Sequence, residues 1–98
     1  MDGHILSIGH LISFKQQLRS EEREQSTIEK YMRELKLLGA WLVERPVTAE
    51  IVSGWKNYLR TAGYKPETIN GKLSAVNKFL SCMGWGECCV KYLKIQRR

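Results

Sequence analysis

A chain of 98 residues, 43% hydrophobic and 27% charged, has the composition of one folded domain with a modest core, which excludes a disordered tail and a multi-domain enzyme. The net charge of +6 is unevenly spread: residues 1–49 hold seven basic and seven acidic side chains, residues 50–98 nine and three. That asymmetry points to a polyanion or an anionic membrane surface as partner, or simply to a soluble basic domain.

In chain order the apolar spacing is helical nearly throughout. Residues 8–19 place Ile8, Leu11, Ile12 and Leu18 on one side and predict a short first helix, ended by the charged run SEEREQ. Ser26-Thr27-Ile28-Glu29 has the form of a capping box, so a second helix is predicted from Ser26 to about Glu44, with Ile28, Tyr31, Leu35, Leu38 and Leu42 inward and Pro46 marking its end. Thr48 can cap a third helix whose stripe is Ile51, Val52, Trp55, Tyr58, Leu59 and Ala62, closed by Gly63. Pro66 suits the first turn of a fourth, in which Ile69, Leu73, Val76, Leu80 and Met83 recur at helical spacing before Gly84. The tail ECCVKYLKIQRR adds a short helical or extended piece with a basic, linker-like end. Period-two alternation is absent, and Asn70-Gly71 falls inside a helical stripe, so the fold class is an all-α bundle of four to five short helices.

Several chemistries are set aside by pattern. No apolar run reaches the roughly 18 residues a membrane span requires, and the N-terminus lacks the features of a signal peptide, so a cytoplasmic protein is expected. Cys82, Cys88 and Cys89 cannot all pair within the chain and suit a reducing compartment. No metal site is expected, because there is no C-x-x-C pair and His4 and His10 lie far from the cysteines in sequence. No nucleophile elbow, P-loop or paired carboxylates appear, so neither catalytic residues nor a cofactor are expected in this chain. Tyr31, Tyr58, Trp41 and Trp55 read as packing residues, whereas Trp85, between two glycines, is open.

The back of the fourth helix carries the functional signal. Asn70, Gly71, Ser74 and Asn77, framed by Lys72 and Lys78, make a small, neutral-polar face with cations at its margins. Such a face suits a helix entering the DNA major groove, where amides and hydroxyls meet base edges and lysines meet phosphates. Close helix–helix packing is the alternative use of the same small residues. On the second helix Lys30, Arg33 and Lys36 lie opposite the apolar stripe, with Thr27 at the N-terminus, where backbone N–H groups favour a phosphate.

The segments STIEKYMRELKLLGAWL and TAEIVSGWKNYLRTAGYKPETINGKLSAVNKFLSCMGW resemble the N-terminal core-binding domain of tyrosine recombinases, the phage-integrase family. Thr27, Tyr31 and Leu35 fill its T-x-x-x-Y-x-x-x-L pattern; Thr68, Ile69, Asn70, Leu73, Ser74, Ala75 and Phe79 fill its second motif. The likeness covers residues 26–98, residues 1–25 matching only as a variable first helix, and the tail VKYLKIQRR resembles the connector to the catalytic domain in integrases of Gram-positive mobile elements.

The resemblance implies a small orthogonal, SAM-like bundle in residues 26–86, with a connector in 87–98 toward a separate C-terminal catalytic domain. It implies that the second and fourth helices clamp double-stranded DNA at a recombination site, that other recombinase protomers are partners of the full-length protein, and that the isolated domain is monomeric in a bacterial cytoplasm. Carried onto this sequence, the DNA-facing residues are Thr27, Lys30 and Arg33 with Lys65, Thr68, Asn70, Lys72, Ser74 and Asn77, to which the helix faces read above add Lys36 and Lys78. Gly71 and Glu67 depart from the pattern, one lacking a side chain and the other adding a negative charge. A helix-turn-helix regulator, with TAGYKP as the turn, and a SAM-like protein-interaction module are the competing readings.

Overall fold

The computed structural model describes residues 3–94, in the order α1 (Ile8–Ser20), α2 (Gln25–Leu42), α3 (Ala49–Thr61), α4 (Pro66–Cys82) and a 3-10 turn, Gly86–Cys88. Among these residues there is no strand, only an isolated bridge between His4 and Val47, and no helix is long and apolar enough to cross a membrane. The predicted end IQRR lies outside the described residues.

One core unites the elements. Phe14 and Leu18 of α1, Ile28, Leu35, Leu38 and Leu42 of α2, Val52, Trp55 and Leu59 of α3, and Ile69, Leu73, Val76, Phe79 and Leu80 of α4 are all buried in it. The Phe14 ring meets Phe79 edge-on at 5.3 Å between centroids, and Phe79 meets Trp85 at 5.8 Å. Trp85 is thereby a core residue. α4 packs against α2, α3 and the 3-10 turn, and Ala75 and Phe79 are buried beside its main stripe. A helix with neighbours on three sides buries more than one stripe, so fewer of its polar residues stay free than the 3.6-residue period suggests.

Boundary chemistry explains where the helices start and stop. Thr48 caps α3, its hydroxyl accepting the Ile51 N–H at 3.1 Å, and Pro66 opens α4, where its missing N–H would have had no partner in the helix. Gly63 and Gly84 follow the ends of α3 and α4 at φ +93 and +78, backbone that a side chain would strain. α2 ends instead on Val43 in the left-handed region, and Arg45 donates to the carbonyls of Leu42 and Trp41 at 2.9 and 3.0 Å, serving groups that the helix leaves without partners.

Three sequence expectations are corrected. Ile8 and Ile12 of α1 are exposed, and the inward stripe is Leu11, Phe14 and Leu18. The Ser26 capping box does not form: α2 begins one residue earlier with Glu24 at the N-cap and no side-chain cap, and Glu29 accepts from the Gln25 side chain at 3.1 Å. A capping box stands at Ser7 instead, where Ser7 Oγ accepts the His10 N–H and His10 Nδ1 accepts the Ser7 N–H at 3.2 Å. A histidine in the role usual for Glu or Gln escaped the sequence rule. Finally, Ala62 and half of Tyr58 face solvent, the Tyr58 ring lying 6.1 Å from Trp41.

Candidate nucleic-acid interface

Burial of Ile28, Leu35, Leu38 and Leu42 turns the opposite side of α2 outward, and Lys30, Arg33 and Lys36 are exposed on it. They do not form a single row. Lys30, with Thr27 and Tyr31, lines a crevice of about 200 Å³ whose other wall is Gly71, Ser74 and Ala75 of α4. Arg33 and Lys36 line a separate groove of about 420 Å³ on the other flank, with Lys15 of α1 and with Gln25, Glu29 and Leu37. Among the described residues, no salt bridge engages Lys15, Lys30, Arg33 or Lys36.

Ser74 is exposed, and nothing lies within 4 Å of where a side chain at Gly71 would begin, so a ligand can reach the α4 backbone there. Among the described residues no side chain caps α2, so the N–H groups of its first turn, where Thr27 stands, are left without a side-chain acceptor. Lys65, at the N-cap of α4, and Thr68 in its first turn are exposed, with Glu67 between them.

The remaining α4 residues do other work, which revises their reading as DNA-facing groups. Asn70 Nδ2 donates to the Leu93 carbonyl at 3.0 Å while its Oδ1 accepts the Leu93 N–H at 2.7 Å. Asn77 makes the same pair with Val90, at 2.9 and 3.2 Å. Both amides are spent on the segment that returns along α4 after the 3-10 turn. Lys72 turns inward to Glu34, Nζ to Oε1 at 2.9 Å, with side chains only 12% and 10% exposed, and its ammonium lies 5.1 Å from the Tyr64 ring centroid. Lys78 pairs with Glu21 at the end of α1, at 3.2 Å. No local pattern signals these partners, because Glu34, Glu21, Val90 and Leu93 are distant in the chain from the α4 residues they meet and the tail has no regular structure of its own.

The Glu21 carboxylate is the strongly perturbed acid of this region. A hydrogen bond from Gln17, then those from Arg23 and Lys78, hold it down at about 2, against an ordinary 4.5. It is an electrostatic tie between α1 and α4.

A small all-α bundle with an open, lysine-edged crevice between two helices is the class that fold and site define. Residues 11–85 match the family model described as phage integrase, N-terminal SAM-like domain, and the chain belongs to that family. No curated protein and no solved structure gives a significant match. The match takes in α1 from Leu11 and ends at Trp85, so it covers every buried residue of the core but Cys88.

Proposed function

We propose that this chain binds double-stranded DNA as the clamping domain of a site-specific tyrosine recombinase from a bacterial mobile element, with strand exchange carried by a separate catalytic domain. The α2–α4 crevice carries the reading: it sets Thr27 and Lys30 opposite Gly71 and Ser74, so that a small, polar helix surface is edged by the Lys30 ammonium. Lys15, Arg33 and Lys36 on the neighbouring flank extend the positive surface along a duplex backbone, and Lys65 and Thr68 approach from the start of α4. In this arrangement phosphates are held by Lys30, Arg33 and Lys36, and base edges are met by Ser74, with Gly71 leaving room for the helix to approach closely.

The test is a duplex titration over a range of salt, with NMR following the backbone amides. Neutralising about four phosphates gives a slope of about −3 to −4 in log Kobs against log salt, and non-specific Kd values of roughly 10⁻⁴–10⁻⁶ M at physiological salt. Amide shifts centred on Thr27, Lys30, Gly71 and Ser74 support the crevice. Shifts confined to residues 62–68 favour a helix-turn-helix mode, and binding indifferent to salt removes the reading.

A further inference from the structure

The segment before α1 folds back across the molecule to the corner that follows α4. His4 and Val47 exchange backbone hydrogen bonds at 3.0 and 2.7 Å, and the His4 ring stacks on Trp85, centroids 4.4 Å apart and planes 6° from parallel. Bridge and stack together fix the plane of the imidazole. Its Nε2 lies 2.7 Å from Oε2 of Glu87, 83 residues away in sequence, and the buried Cys88 places Sγ 3.9 Å from the same oxygen. The three donor atoms fall within 4.8 Å of one another, on the wall of an open cleft of about 480 Å³ that also includes Thr48.

We propose that His4, Glu87 and Cys88 bind one Zn²⁺ ion, which clips the N-terminal segment to the α4 corner. One imidazole nitrogen, one thiolate and one carboxylate oxygen form the mixed donor set that suits zinc, whereas Mg²⁺ and Ca²⁺ select oxygen alone. With bonds of about 2.0 Å to nitrogen and oxygen and about 2.3 Å to sulfur, tetrahedral geometry sets neighbouring donors roughly 3.3–3.5 Å apart. The present separations, 2.7 Å from Nε2 to Oε2 and 3.9 Å from Sγ to Oε2 with none above 4.8 Å, lie on either side of that range, so ligation draws the Cys88 sulfur and the Glu87 carboxylate around the fixed imidazole. On binding, the Cys88 thiol releases its proton to solvent and the sulfur lone pair forms the metal bond; the fourth position opens on the cleft. No spacing rule finds this site, because its ligands come from opposite ends of the chain.

The experiment uses the full chain carrying Cys82→Ser and Cys89→Ser, reduced and stripped of metal, so that Cys88 is its one thiol. Cobalt(II) is the probe. The expected result is a thiolate-to-cobalt charge-transfer band saturating at one ion per chain, bleached by an equivalent of Zn²⁺, with a thermal midpoint that rises with zinc concentration. His4→Phe keeps an aromatic ring on Trp85 and Glu87→Gln keeps the side-chain shape; each should fold and lower cobalt affinity by at least about tenfold. Absence of the band overturns the site, as does a band of undiminished affinity in His4→Phe or Glu87→Gln.

Discussion

Asn70 and Leu93 exchange two hydrogen bonds across 23 residues of sequence, the asparagine amide serving as a substitute strand edge for the returning chain. Asn77 repeats the arrangement with Val90 two turns along α4, and Lys56 of α3 donates to the carbonyl of Lys91 between them at 2.7 Å. Among the described residues, the hydrogen bonds that hold this extended segment against the bundle come from side chains of α3 and α4.

Asn70→Ala and Asn77→Ala therefore act on the tail rather than on base recognition. Each removes two hydrogen bonds and should cost about 1–3 kcal/mol in chemical denaturation. Native-state hydrogen exchange should quicken at Leu93 in the first variant and at Val90 in the second, while duplex affinity stays the same. Exchange at Leu93 that ignores Asn70→Ala would show that the clamp does not hold the segment.

Lys72 is expected to behave as an internal ion-pair partner. Lys72→Ala leaves Glu34 enclosed without its cation and should destabilise the fold by roughly 3 kcal/mol, a cost largely relieved when Glu34→Leu is combined with Lys72→Met. Lys30→Ala should do the reverse, sparing stability while weakening all duplexes alike and reducing the salt slope by about one. Equal salt slopes for Lys30→Ala and the parent would remove Lys30 from the interface.

Gly71 separates folding from binding at a single position. It lies inside α4 with open space where a side chain would begin, so Gly71→Ala should raise stability by about 0.5–1 kcal/mol. The added methyl group narrows the crevice and should weaken DNA binding. A variant that is more stable and binds as well as the parent would show that the duplex does not approach α4 here.

Glu21 governs acid behaviour at the α1–α4 contact. Its folded value lies below its ordinary one, so the stability it confers is complete above about 4.5 and is lost as pH falls from there toward about 2. Carboxyl-detected NMR should show Glu21 titrating near the lower figure, moving upward in high salt as the ties to Arg23 and Lys78 are screened. Glu21→Gln should flatten the stability curve within that window; an unchanged curve would mean the tie adds nothing to folding.

Local chemistry was enough to mark out the helices. Apolar residues at helical spacing, the Thr48 hydroxyl, Pro66 and the two terminal glycines act within a few residues of themselves, so the sequence by itself determined an all-α bundle and most of its core. The family motifs in α2 and α4 were legible for the same reason, since each occupies a single helix. Tertiary structure decided which polar residues remain free. Periodicity divides a helix into an apolar and a polar side, but whether Asn70 and Asn77 meet solvent depends on a tail that reaches them only once α3, α4 and the 3-10 turn have packed. Lys72 and Lys78 look alike in sequence until Glu34 and Glu21 are brought beside them, and His4 meets Glu87 and Cys88 only because the Val47 bridge and the Trp85 stack fold its segment onto the corner after α4. Charge pairing and ligand geometry depend on distance through space, which for these residues is set by core packing rather than by their separation along the chain.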